Sequence, residues 1–303
     1  MSTRRKFLLD IAALSATGSL LASCASSAAS SGMSSRSMAT SKSLANKPTV
    51  DGIGLQLYTV GDQTRTDFDG TLEKVAQIGY KRVEFAGYGN KTPEQMRALL
   101  DKFHLKSPSS HIGLDLLRKD LEAQIHIAEI IGHEYITIPS LGRTDGDMKT
   151  ADAWKRIADE CNAIGSKLKA RKIQLAFHSH TAEYVDVGGG KTGMDVFITQ
   201  TDPSLFTFQM DLGWARVAKQ NPVEWFNKYP GRFRMWHIKD MNLAKGSPVP
   251  VGAGDIDFKP MLAAWKQAGM QYFFIEQDGA AQWPGGSMKA IATSYNAVKK
   301  LLA

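Results

Sequence analysis

Beyond residue 50 the chain repeats one pattern, a short run rich in β-branched and aromatic residues followed by a longer segment with apolar positions every three or four residues. The short runs are GLQLYTV (54–60), KRVEFAG (81–87), LKSPSSH (105–111), EYITIPS (134–140), IQLAFHSH (173–180), FTFQMDL (206–212), FRMWHIKD (233–240) and YFFIEQD (272–278). They read as strands, and the segments between them as helices. Between the fourth and fifth runs Trp154, Ile157, Ala158, Cys161, Ile164 and Leu168 make the stripe of a helix that covers a sheet, which assigns Cys161 to packing. Thr92, Pro93 and Gln95 spell an N-cap, an N1 proline and a capping-box partner, while Gly79 and Gly132 stop two further helices. Parallel neighbours need a crossover, and a helix is the usual one. The pattern therefore predicts a (β/α)8 barrel, for which about 250 residues is the usual size, with an open doubly wound sheet as the alternative.

The first 50 residues stand outside this pattern. Residues 1–24 begin with basic side chains and continue through an apolar stretch to small residues, the build of an export signal. TRRKFLL (3–9) resembles a twin-arginine signal, and Leu21-Ala22-Ser23-Cys24 resembles a lipobox in which Cys24 is lipidated. Residues 25–50 are rich in Ser and Ala and read as a solvated linker, leaving 51–303 for the barrel. The expectation is a periplasmic protein, exported by the twin-arginine route and held to a membrane by its lipid alone.

Composition narrows the classes. The 303 residues are 43% hydrophobic and 22% charged, which suits a chain with one substantial core. The net charge of +7 is spread along the chain rather than gathered in a stripe, so no nucleic acid partner is expected. Two cysteines exclude a disulfide framework and a Cys-rich zinc site.

In such barrels chemistry sits where the strands end. Here those ends carry Gln56 and Tyr58, Glu84, His111, His178 and His180, Asp211, His237 and Lys239, and Glu276; only the fourth, at Pro139 and Ser140, is bland. Period two puts His178 and His180 on one face of their strand. Inward carboxylates and imidazoles are costly unless paired or bound to a cation, so a cluster of them points to a metal. Asp211, Glu276, His237 and one of the two strand-five histidines offer mixed nitrogen and oxygen ligands suited to Mn, Fe, Co or Zn. A loop at Asn242–Asp257, with three glycines and two prolines, reads as a lid, and His104, His126 and His133 as surface residues.

The runs GLQLYTV, VEFAGY, LAFHSHTAEY, MDLGWA, WHIKDM, GAGDIDF and FIEQD resemble the xylose isomerase-like TIM-barrel family, also called sugar phosphate isomerase/epimerase. That family includes ketose epimerases, dehydratases of inosose and dehydroshikimate, and lyases of 3-keto-glycosides. The resemblance implies one divalent ion, Mn foremost, on His178, Asp211, His237 and Glu276. It leaves open which of His178 and His180 is the ligand; the expectation is His178, with His180 as general base beside Glu276 and Lys239. Gln56, Tyr58, Glu84, His111, Glu183, Trp214 and Trp236 would then meet a small carbohydrate. Many members carry a glutamate where His178 stands, and the epimerases pair it with the strand-eight glutamate across the sugar. Histidine there favours removal of one proton α to a carbonyl, with β-elimination from a 3-keto-glycoside as the specific expectation. Isomerisation or epimerisation of a free sugar and a non-catalytic sugar-binding lipoprotein are the alternatives. The DNA-repair endonucleases of the same barrel need additional histidines, and MDLGWA has Trp214 where one would be sought.

Overall fold

The computed structural model describes residues 47–141 and 148–303. The export signal, Cys24 and most of the linker lie outside the described residues. The strands are β1 (Ile53–Gln56), β2 (Arg82–Phe85), β3 (Lys106–His111), β4 (Tyr135–Ile138), β5 (Gln174–His178), β6 (Phe206–Asp211), β7 (Met235–Ile238), β8 (Asp240–Asn242), β9 (Ser247–Val249) and β10 (Tyr272–Ile275). All but β8 and β9 join one closed parallel barrel in the order β1-β10-β7-β6-β5-β4-β3-β2, and closure excludes the open sheet. Ile53 pairs with Phe273 and Leu55 with Ile275, so the last strand meets the first.

Alternation along each strand sorts the side chains into two populations. Leu55, Val83, Phe85, Ile136, Phe177, Phe208, Trp236 and Ile275 belong to the large apolar core between barrel and helices. Tyr135, Ala176, Met235 and Phe274 form a separate small cluster, the apolar layer inside the barrel. Gly54 is required beside it, because a Cβ there would stand 2.5 Å from the Phe274 ring. Two residues further along the same strands come Thr137, His178, His237 and Glu276, all buried, so the layer above is polar. The apolar plug beneath closes that layer to solvent from below, so it opens only at the strands' C-terminal ends.

Helices start and stop where local chemistry predicts. Thr92 and Gln95 close a reciprocal capping box on Pro93–Lys102, and Gly132 ends Leu114–Ile131 at φ 89°. The helix Ala151–Lys169 buries the expected stripe, Cys161 included. No helix among the described residues is long and apolar enough to cross a membrane.

Three expectations are corrected. Leu57–Val60 is a 3-10 turn rather than strand, because Gln56 turns its side chain back to accept from the Tyr58 N–H and ends the extended run. The supposed lid begins as the β8–β9 hairpin and then wraps the Asp240 carboxylate, which accepts from the N–H groups of Met241, Gly252, Gly254 and Ile256. Four such bonds on one buried anion make a fixed loop. His133 is buried, with Nδ1 2.7 Å from the Ser107 carbonyl and Nε2 3.2 Å from the Tyr88 hydroxyl.

Candidate metal centre at the barrel mouth

Four adjacent strands, β5, β6, β7 and β10, each deliver one side chain to the same point. His178, Asp211, His237 and Glu276 place one ligand atom each within 4.8 Å of one another, and all four are buried. This is the set that the resemblance implies.

The atoms beneath orient them. Gln209, two residues before Asp211 and so on the same face of β6, places Oε1 2.9 Å from His178 Nδ1 and 2.8 Å from His111 Nε2. Its Nε2 donates to Glu84 at 2.8 Å, which fixes which end of the amide is oxygen. An amide oxygen only accepts, so both imidazoles present N–H to it. The tautomer of His178 follows: its Nε2 carries the free lone pair, 3.7 Å from Asp211 Oδ2.

His237 lies between two carboxylates, with Nε2 2.6 Å from Glu84 and Nδ1 2.6 Å from Glu276. Burial disfavours its charge, yet Glu276 and Glu84 outweigh that and raise its pKa to about 10. Glu84 also accepts from Gln56 at 2.8 Å and Ser109 at 2.6 Å; burial opposes its ionisation, but His111 and His237 hold it well below the usual carboxylate range. A carboxylate behind a metal-ligating imidazole is the usual second support of such a ligand.

Lys239 is buried, with Nζ 2.9 Å from Asp211, 3.0 Å from Glu276 and 2.5 Å from Asp278. Burial works against its charge, but these three carboxylates hold its pKa well above the lysine value. Its ammonium also sits 5.1 Å from the centre of the Trp214 ring. Burial pushes the Asp211 carboxyl up to about 6 against the pull of Lys239, while Lys239 and His237 overcome burial and lower Glu276 well below its ordinary value. Asp211 Oδ2 receives no well-directed hydrogen bond, although the Lys239 ammonium is near. That oxygen, the free Nε2 of His178 and the Nδ1 of His237, once it gives up the proton it shares with Glu276, fit a divalent ion of the Mn-to-Zn series better than a hard, oxygen-seeking one.

Over the cluster lies a cavity of about 490 Å³ bounded by Tyr58, His111, Ser140, His178, His180, Glu276 and Asp278, among others. The His180 ring is 4.7 Å from the His178 ring and 6.2 Å from Trp214. Burial and the Lys239 charge lower the pKa of His180 to about 4, so it stands neutral.

Other expected substrate contacts take different places. Trp236 alternates with His237, so it faces the helices, buried and stacked at 5.0 Å on Phe226; it is core and not a sugar platform. Glu84 and Gln56 are fully buried in the polar layer, where they position histidines instead of meeting a ligand. Glu183 is buried and accepts from the His180 backbone N–H at 2.8 Å, and burial raises its pKa to about 7, so it sets the course of the β5 loop. Tyr58, His111 and His180 border the cavity, and Trp214 packs on the Lys239 ammonium without lining that cavity. Gln209 and Asp278 were missed by the sequence reading. Gln209 lies two residues before the candidate ligand Asp211 on β6, so period two is the signal that marks it, whereas Asp278 lies past the end of β10 and has no such signal.

A family profile described as xylose isomerase-like TIM barrel matches residues 72–296. The chain belongs to that family. Among curated relatives, an inosose dehydratase of Lacticaseibacillus casei is 24% identical over 255 residues, spanning 72% of this chain and 85% of the relative. A crystal structure of a sugar phosphate isomerase/epimerase from Parabacteroides distasonis superimposes with TM-score 0.72 at 22% identity, covering 84% of this chain and 96% of that one. The structure of IolI protein with a bound zinc atom gives TM-score 0.68 at 13% identity over 83% of this chain and 98% of its own. At these identities the two structures speak for the fold.

Proposed function

We propose that the protein is a divalent-metal-dependent carbohydrate enzyme that removes a proton α to a carbonyl and eliminates the β-substituent, with 3-keto-glycosides as substrates. The observation that carries this reading is a histidine, His178, at the position where the epimerases pair a glutamate with Glu276, with the His180 imidazole beside it on the cavity wall. The kinship with inosose dehydratases supports an elimination. The zinc atom in the IolI structure supports a metal on this barrel.

A divalent ion bound by the four ligands supplies Lewis-acid polarisation of a substrate carbonyl. The chain's own groups do the rest. His180 takes the C2 proton; the C2–H electrons form the C1=C2 bond as the C1–O bond breaks. The departing oxygen takes the proton back from His180, so the net change is loss of one alcohol. Lys239 holds a fixed positive charge against oxygen that becomes negative along the way, in a site closed from below by the Phe274 layer.

The test is wild-type protein reloaded with Mn²⁺ and given methyl 3-keto-β-glucoside in D₂O. Loss of methanol with a new conjugated enone absorbance is expected, and His180→Ala should lose it while keeping its metal. Deuterium at C2 with inverted configuration and no methanol would replace elimination by epimerisation. Metal loss in His180→Ala would exchange the roles of His178 and His180. Export through the twin-arginine route and a lipid on Cys24 belong to the same proposal, supported by residues 1–24. Cys24→Ala should then be released in the soluble periplasmic fraction, and a protein still in the membrane fraction would refute the anchor.

A further inference from the structure

A second cavity of about 640 Å³ adjoins the one over the metal ligands. Tyr58, Ala86 and Gly87 border both, so the two are neighbours across the loops that follow β1 and β2. Its walls are Phe68, Asn90 and Lys91 together with Arg65, a mixture of aromatic face, amide and cation. Tyr58 is 60% exposed, which for an aromatic ring on the ridge between two cavities is the disposition of a stacking platform. Lys91 is neutralised by Asp69 at 2.7 Å. Arg65, among the described residues, has no carboxylate within ion-pairing distance, so this groove keeps one uncompensated guanidinium. Gly87 has φ 94° and a built Cβ there would meet nothing within 4 Å, so its backbone leaves the passage open.

We propose that this groove binds the leaving-group side of the substrate, and that it favours an acidic glycosyl unit such as a uronate, whose ring stacks on Tyr58 and whose carboxylate pairs with Arg65. The assignment rests on the elimination reading for its direction, since an eliminated alcohol must sit beyond C1 and the groove is the neighbouring space. Its chemistry rests on the groove alone. A planar guanidinium suits a carboxylate bidentately, and Thr64, Thr66 and Asn90 on the groove wall offer hydrogen bonds to pyranose hydroxyls.

Two measurements separate the groove from the reaction. For the Mn²⁺-loaded protein, Arg65→Ala should raise KM about tenfold for a 3-keto-glucoside carrying glucuronate as aglycone and leave kcat and KM for methyl 3-keto-β-glucoside unchanged. Arg65→Lys should recover part of the loss. Equal effects on both substrates, or none on either, overturn the proposal. Titration calorimetry with glucuronate alone needs no turnover. Saturable binding that Arg65→Ala abolishes upholds the groove even if no 3-keto-glycoside reacts, and absence of binding to wild type overturns it. Glucose titrated in parallel should bind more weakly than glucuronate, and equal binding refutes the acidic preference.

Discussion

Gln209→Met tests whether the polar layer beneath the ligands creates the metal site. The substitution keeps length and removes three hydrogen bonds, those at 2.9 Å to His178, 2.8 Å to His111 and 2.8 Å to Glu84. Glu84 keeps Gln56, Ser109 and His237, so the N–H groups of His178 and His111 are the partners left unmet; at about 1–3 kcal/mol each, roughly 2–6 kcal/mol of stability should go. The more telling consequence is at the metal. Without an acceptor at Nδ1, His178 is free to place its proton on either nitrogen and to rotate, and the loss of such a support weakens metal affinity by about 10–100-fold. Competition of the protein against a chromophoric chelator gives the affinity, and urea unfolding of the metal-free protein gives the stability. A folded Gln209→Met variant whose affinity stays within about twofold of wild type would refute the claim that Gln209 fixes the His178 tautomer.

Other perturbations follow from single residues. Burial lowers the pKa of His133 to about 4, against an ordinary 6.5, so the unfolded chain takes up its proton first as pH falls. This contribution is complete above pH 6.5 and is lost downward through pH 4, about 2 kcal/mol by pH 5; His133→Gln should flatten that part of the stability profile, and an unchanged profile would refute it. Lys239→Met leaves Asp211, Glu276 and Asp278 facing one another and should destabilise the metal-free protein by about 3–5 kcal/mol, with added Mn²⁺ restoring part of it in thermal denaturation. Trp236→Ala should cost about 3–5 kcal/mol in urea unfolding, and reloaded enzyme should keep its KM, because the ring packs on Phe226 away from the cavity; a raised KM with unchanged stability would return it to the site.

Much of the fold and the candidate metal cluster could be read in the sequence because both depend on period. Runs such as KRVEFAG and YFFIEQD mark their strands through β-branched and aromatic residues, and the amphipathic stripe through Trp154 and Leu168 marks the crossover between β4 and β5. What escaped was depth. Sequence says that Glu84 and Glu276 are both inward at the ends of strands, yet Glu84 is fully enclosed by Gln56, Ser109, Gln209 and His237, whereas Glu276 borders the cavity. No local pattern carries that difference. His133 escaped for a related reason: it follows the stop at Gly132, where a polar residue is ordinarily exposed, and only the tertiary approach of Tyr88 and Ser107 draws it in. Trp236 was misassigned by residue type against period, since alternation with His237 already turned it outward.

The layering also explains how a barrel interior sustains so much charge. Glu84, Asp211, Glu276 and Asp278 face only Lys239 and the His237 imidazolium as cations in hydrogen-bonding reach, so the layer is short of positive charge. Buried carboxylates in that excess are costly by themselves. A divalent cation at the four converging atoms would displace the Nδ1 proton of His237, a net gain of one positive charge that lessens the deficit, and the free lone pair that Gln209 imposes on His178 gives it a second nitrogen to bind. Glu84 serves this balance fully enclosed, where it cannot touch a sugar, while the cavity wall presents the His180 imidazole and the buried Lys239 holds positive charge. The two-residue step on β6 puts Gln209, which sets the His178 tautomer, and Asp211, which reaches the cluster, on one face of the strand. Substitutions at Glu84 or Gln209 should therefore be read first in metal affinity, and those at His180 in turnover.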